Sequence, residues 1–270
     1  MKKDIDFLAR KLEKLFVLSF MDLKLKYQGG VLGFFWSFFK PLIQFFAYYL
    51  VFGVILNVGK EAYYPLEVFL GILTWGWFSE STQQGLVAFL NKKAVITKVA
   101  TNKLYPPVAA FLSPTMNYIL NLGVFFVAYL FFTQGGLFFE TAYPFWKSCI
   151  IFLFSFSSIA CVSISLNILL SYLNARYRDV QTFWELALMY GIFLTPIFYV
   201  LPLPVEYQSL YFVINPLALP ILLLKSLFFP ISLPDLSIMT YFFYVIIMLS
   251  LLSGSLIYHA KTYKKIADYL

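Results

Sequence analysis

The sequence predicts an all-α polytopic membrane protein: six transmembrane helices per chain, an N-terminal amphipathic interface helix, and a re-entrant external helix pair between spans five and six. Three observations predict this class. Hydrophobic residues make up 61% of the 270 residues and charged ones only 12%, against roughly 45–50% and about 25% in soluble domains. Several apolar runs exceed the roughly 18–20 residues that cross about 30 Å of hydrocarbon. Lysine and arginine cluster in alternate connections, the mark of cytoplasmic loops. The length of the apolar runs excludes a merely large water-soluble core.

The chain opens on a charged segment, Met1 to Lys26, with no small-residue cleavage site, so no cleavable signal peptide is expected. Ile5, Leu8, Leu12, Leu15 and Ser19 recur at helical spacing, while Arg10, Lys11 and Lys14 fall largely on the other side. That is the pattern of a basic amphipathic helix on a membrane surface, suited also to a partner protein. The stretch KYQGGVLGFFWSFFKP, residues 26–41, then turns the chain into its first span. Lys24 and Lys26 hold headgroup level, Gly29, Gly30 and Gly33 let the chain bend and pack closely, and Trp36 suits an interface.

Spans are predicted over 37–57, 66–90, 108–132, 147–173, 183–201 and 238–258. The second is the least regular. Its apolar first half, LEVFLGILTWGWF, is followed by SESTQQG, which lipid would not tolerate on an exposed face. This half must meet another helix or a wet cavity. Between spans five and six, SLYFVINPLALPILLLKSLFF is nearly long enough to cross. Asn215-Pro216 and Pro220 interrupt it, and proline removes a backbone donor and breaks a helix. Two short helices that dip in and return are expected, with irregular backbone kept from lipid. The chain thus reads as one transmembrane domain, 1–270. Residues 1–30 form the interface helix and elbow, 37–258 the bundle, 202–235 the external pair and 259–270 a cytoplasmic tail.

Orientation follows from the basic residues. Lys2, Lys3, Arg10, Lys11, Lys14, Lys24, Lys26 and Lys40 precede or open the first span. Lys92, Lys93, Lys98 and Lys103 lie between spans two and three, Arg176 and Arg178 between four and five, and Lys261, Lys264 and Lys265 after six. Only Lys60, Lys147 and Lys225 fall on the other side. Both termini are therefore expected in the cytoplasm, on a multi-pass protein of the bacterial inner membrane.

The residue inventory argues against chemistry in this chain. His259 is the only histidine, so a histidine metal site or histidine-based triad is unavailable within one chain. No Gly-rich phosphate loop ends in Lys-Ser or Lys-Thr. Cys149 and Cys161 are twelve positions apart, about 18 Å on a helix and too far for a disulfide. Of the acids, only Glu80 falls plausibly inside a span, with Glu185 near an end. A single such carboxylate is more often a helix–helix hydrogen-bonding device than a proton relay. No catalytic residue, metal or cofactor is expected here, and nucleic acid is not expected as a partner. The chain reads as a conduit whose energy source is another subunit on the cytoplasmic side.

At this point the segment YQGGVLGFFWSFFKP becomes specific. It resembles the motif Y-x-G-S-x-L-G-x-x-W-x-x-x-x-P of polysaccharide-export ABC transporter permeases, the membrane subunits of type-2 exporters of O-antigen, capsule or teichoic acid. NKKAVITKVATNKLYPP resembles that family's N-x-x-L-I-x-K-V-x-F-P-x-x-x-L-P segment between spans two and three. NARYRDV, LTPIFY and NPL resemble its hallmarks around span five and in the external pair. The order and spacing fit over nearly the whole chain, closest to O-antigen export. Thr101-Asn102 stands where the family commonly has Phe-Pro, and Gly30 where it has Ser.

The resemblance implies a homodimer of this chain with two ABC ATPase subunits, which hold the ATP and magnesium, and a lipid-linked polysaccharide as cargo. It assigns ATPase coupling to the segment 91–106, with Asn91, Lys92, Lys93 and Lys98, and to Arg10, Lys11 and Lys14 of the amphipathic start. Arg176, Arg178 and Asp179 lie on the same side, where anchoring and a helix-end ion pair are the plainer role. A sliding polymer needs weak, repeated contacts, and aromatic faces suit sugar C–H surfaces. Tyr48, Tyr49, Trp75, Trp77, Phe78, Trp184, Phe198 and Tyr199 are the channel candidates, although most aromatics in so rich a chain pack against helices and lipid. Arg10, Lys24 and Lys26 are nearest to a carrier pyrophosphate, among membrane lipid headgroups. Asn215, Pro216 and Pro220 are expected to shape an external lid. Two other readings stand beside this one: a type-2 permease for another substrate such as a drug or lipid, and a membrane-embedded glycosyl- or acyltransferase.

Overall fold

In the computed structural model every regular element among the described residues is helical. The structure describes residues 33–58, 63–93, 102–133, 143–199, 204–231 and 238–266, with residues 13, 15–17, 19–21 and 24 of the N-terminal segment. A single 3-10 turn, Gly33–Phe35, leads into α1, Trp36–Tyr48, which continues as a π-helix over Tyr49–Ile55. Then follow α2, Tyr64–Leu86; α3, Ala88–Asn91; α4, Tyr105–Thr133; α5, Phe145–Arg176; and α6, Val180–Leu194. The chain closes with α7, Val205–Ile214; α8, Ala218–Ser226; and α9, Ile238–Thr262.

Proline sets many of the boundaries. Pro65 opens α2, Pro106 and Pro107 sit in the first turn of α4, and Pro144 and Pro204 precede α5 and α7. There the missing N–H costs nothing, since the first turn has no partner for it. Two prolines do the opposite. Thr195 (ψ 138°) and Asn215 (ψ 87°) are pushed out of the helical region by the ring of the proline that follows each. The predicted fifth span therefore ends its helix at Leu194, and α7 and α8 meet at a bend of 107°.

Side-chain hydrogen bonds fix the directions of the helices. Thr74 pairs with Tyr118 and Trp77 Nε1 donates to Thr115 Oγ1 (2.9 Å), so α2 and α4 are antiparallel. Asn167 Nδ2 donates to Ser81 Oγ and Asn174 Nδ2 to the Leu86 carbonyl, so α2 and α5 run parallel. Cys161 reaches the Met248 carbonyl and Tyr172 pairs with His259, so α5 and α9 are parallel too. One end of the bundle thus carries Lys92, Lys93, Lys103, Arg176, Arg178 and Lys261, and will be called the basic end. The other, the distal end, carries α7 and α8.

α2 is the centre of the bundle, in contact with α1, α4, α5, α6 and α8. Val68, Leu70, Ile72, Trp77 and Phe78 are buried, and so are Ser81 and Thr82 of the polar half. Gly85 allows that burial, because a Cβ there would lie 2.4 Å from the side-chain carbon of Asn167. A smaller core of Phe89, Ile168, Tyr172 and Ile266 closes the basic end, joining α3, α5 and the residues after α9. Ser19 of the N-terminal segment is fully buried, with its hydroxyl toward the Ala109 carbonyl, while Phe16, Val17 and Phe20 are exposed.

Among the described residues four helices are long and apolar enough to cross a membrane: α1 with its π extension, α4, α5 and α9. The bent pair would be a fifth if it were one span. α6 has 15 residues, about 22 Å of helix. α2 has 23 residues but carries its polar half inside the bundle. Exposed faces hold Ile43, Phe46, Val54, Phe131, Leu153 and Leu249, an apolar surface that water would not accept.

Candidate functional site

α1, α2, α4 and α6 enclose an open cleft of about 1030 Å³. Each helix contributes one face at helical spacing. α1 presents Lys40, Gln44 and Tyr48, with Trp36 at the mouth near the basic end. α2 presents Gly76, Glu80, Gln83 and Gln84; its Ser81 and Thr82, on the other face, are buried. The polar stretch of α2 is therefore divided between a packed face and a wet one. α4 adds Asn117 and Asn121, one turn apart, and α6 adds Glu185, Leu188, Ile192 and Phe193.

The polar groups of α2 and α4 form a connected set, and α6 carries a separate pair. Gln84 Nε2 donates to Glu80 Oε1 (3.1 Å), and Asn117 Nδ2 reaches Glu80 Oε2 (3.5 Å). Asn121 Nδ2 donates to the Asn117 carbonyl (3.0 Å), and Gln181 Nε2 to Glu185 Oε1 (3.0 Å). Amides both donate and accept, so the cleft offers adaptable hydrogen bonding at a depth where lipid offers none. Among the described residues no group of His, Cys, Asp and Glu could hold a metal ion.

A second constellation stands at the distal end, around the non-helical segment 195–199. Lys225, 4% exposed, donates through Nζ to the carbonyls of Ile197 (2.7 Å) and Pro196 (3.3 Å). Asn215 Nδ2 donates to Thr195 Oγ1 (3.0 Å) and the Leu194 carbonyl (3.2 Å), which also accepts from Tyr211. Tyr64 donates to the Phe198 carbonyl (2.8 Å). Side chains thus satisfy the carbonyls that the break before Pro196 releases. On the other side of the bend, the Tyr244 hydroxyl holds the Pro216 carbonyl (2.6 Å).

The predicted residues fall in different places. Tyr48, Trp75 and Trp77 line the cleft, though Trp77 is almost wholly buried and stacks on Tyr118 and Phe156. Phe78 lies against Trp75 and Trp184. Phe198 is fully buried, stacked on Phe52, while Tyr49 stacks on Phe45 and Tyr199 donates to the Phe193 carbonyl. Asn215, Pro216 and Pro220 sit in the bent pair, with Pro220 buried.

At the basic end, Asn91, Lys93, Arg176, Arg178 and Asp179 are exposed and Lys92 is half-buried. Arg176 lies over the Tyr177 ring. Lys24 and Trp36 are exposed, and Gly33 has φ +46°, a left-handed conformation that glycine adopts without strain. Arg10, Lys11, Lys14, Lys26, Gly29, Gly30 and Lys98 lie outside the described residues.

Sequence reasoning placed Gln83 and Gln84 in a polar stretch that must meet a helix or a wet cavity without choosing between the two, passed over Gln44, Asn117 and Asn121, and took Lys40 and Lys225 only as loop charges. A signal was present. Glu80, Gln83 and Gln84 at i, i+3 and i+4, and Asn117 and Asn121 at i and i+4, each mark one polar stripe on an apolar helix, whereas nothing local marked Lys225 as buried.

No protein-family model matches the chain. The chain is similar to the O-antigen export system permease protein RfbA of Klebsiella pneumoniae, 27% identical over 218 residues, 79% of each protein. A second such protein of that organism is 27% identical over 215 residues, again 79% of each. The O-antigen export system permease protein RfbA of Myxococcus xanthus is 26% identical over 182 residues, 66% of this chain and 65% of that protein.

Proposed function

We infer that this chain is the permease subunit of an ABC exporter for O-antigen, a transport subunit of a multi-pass inner membrane protein complex that works with an ATPase partner. The observation that carries this reading is the similarity to three O-antigen export permeases, over 79% of the chain in two of them. A cleft at bundle depth, lined with aromatics and amides, supports it.

The finer reading is a homodimer with two ATPase subunits, six spans per chain and both termini in the cytoplasm. α1, α2, α4, α5, α6 and α9 are the six spans, with α6 short because Pro196 ends it. The cargo is a polysaccharide on a lipid carrier, entering near Trp36, with Lys24 and Lys26 at headgroup level. The ATPase meets the basic end at Asn91, the last residue of α3, at Lys92, Lys93 and Lys98 that follow it in sequence, and at the N-terminal segment. Exposure of Lys93, Arg176 and Arg178 supports a docking face there.

The test is a deletion of the gene with a tagged copy returned. Long surface polysaccharide should vanish in the deletion and return with the copy, and an ABC ATPase should co-purify with the tag. Unchanged surface polysaccharide in the deletion strain would overturn the reading.

A further inference from the structure

We propose that the amides of the cleft form a hydrogen-bonding track for the hydroxyl groups of an uncharged glycan. This rests on the export reading above and names the substrate class that the cleft accepts. Gln83 is exposed and Gln84 half-exposed on α2, and Gln44 half-exposed on α1, while Asn117 and Asn121 of α4 are buried in the wall of the same space. Side-chain amides are planar and carry a donor and an acceptor side by side. A vicinal diol carries the same pair, so the two match in any register of the chain. A sliding polymer can exchange one diol for the next with little change in energy.

The flanks fit the same ligand. Trp36, exposed, and Tyr48, half-buried, line the cleft beside the amides, with Trp75 buried in its wall, and aromatic faces take sugar C–H surfaces. Charge narrows the class further. Among the described cleft residues Lys40 is the only cation, whereas Glu80 and Glu185 are acids. A polyanion of phosphates or uronates needs cations repeated along its path, because its charges lose water in the cleft. This path repeats amides instead. The hydroxyl-rich, uncharged chain is the one it suits.

The test uses the permease co-purified with its ATPase in lipid nanodiscs, read by tryptophan fluorescence, since Trp36 and Trp75 line the cleft. The probes are dextran oligomers and oligogalacturonates of equal length. Dextran should change the emission saturably, and oligogalacturonate should bind roughly tenfold more weakly or worse. Gln83→Leu combined with Gln84→Leu should weaken dextran by about tenfold. Gln83→Lys, at an exposed site that tolerates the change, should instead improve oligogalacturonate binding. Equal binding of both probes, no dextran binding by the wild type, or an unchanged preference in these variants would overturn the proposal. If surface polysaccharide still depends on the gene, the export reading survives that outcome. If it does not, the reading itself has failed.

Discussion

Lys225 shows how one side chain can serve a backbone break. Pro196 ends α6 and leaves carbonyls without helical donors, and the buried ammonium supplies two bonds to them. A buried acceptor left unpaired costs about 1–3 kcal/mol. Lys225→Met keeps the stem and removes the donors, so it should lower the melting temperature of the purified protein by several degrees, more than an exposed Lys93→Met. Equal melting would mean that water takes over both bonds. Asn167 has a similar task between helices, since it donates to Ser81 and to the Pro107 carbonyl (3.2 Å each). Gly85→Ala would drive a Cβ into it. Overpacking of this kind costs about 1–3 kcal/mol. Expression in the membrane should fall for Gly85→Ala and remain normal for Gly76→Ala, where a Cβ meets nothing within 4 Å.

Among the elements, the bent pair α7–α8 breaks spanning rules most clearly. Its turn is tied three ways: Asn215 to residues 194 and 195, Tyr244 to the Pro216 carbonyl, and Lys225 to the segment after α6. Pro216 and Pro220 keep the two helices from fusing. If the pair acts as a lid over the exit, Pro216→Ala with Pro220→Ala should raise resting ion conductance of reconstituted transporter or reduce surface glycan. A stably inserted variant with wild-type values of both would leave the pair a packing element only. At the basic end, α3 is held by Phe89 against Tyr172 (4.8 Å between rings) and above Ile266. Truncating Phe89 to Ala removes about 3–5 kcal/mol of packing. It should uncouple ATP hydrolysis from export before it prevents insertion, measured as ATPase rate against surface glycan.

For the molecule as a whole, the exposed apolar faces and the charge asymmetry require a membrane, and the parallel and antiparallel pairings define two ends. Cysteines placed at Gln208 should therefore label from outside, and ones at Lys93, Ala175 and Thr262 only after the membrane is opened. Labelling of Gln208 from the cytoplasmic side would remove the six-span reading. A homodimer predicts, in addition, that the complex elutes with equal numbers of permease and ATPase chains, two of each.

Composition and the alternation of charged loops were enough to read the helical class, the membrane setting and the approximate place of most long helices, because a bilayer demands a minimum apolar length and a sign of charge that local sequence displays. Prolines were equally legible as breaks, since their effect on the preceding residue is local: Asn215 and Thr195 both follow that rule. Which face of α2 is wet was not legible. SESTQQG announces a polar half, but only packing against α4 and α5 assigns Ser81 and Thr82 to the interior and Glu80, Gln83 and Gln84 to the cleft. The aromatics divide the same way, Tyr48 to the cleft, Trp75 to its buried wall and Phe198 to the core, because ring type says nothing about which neighbour arrives. Lys225 is the sharpest case. Its charge reads as a loop residue at an external edge, whereas its burial depends on carbonyls released about thirty residues earlier, a pairing that exists only once the helices have assembled.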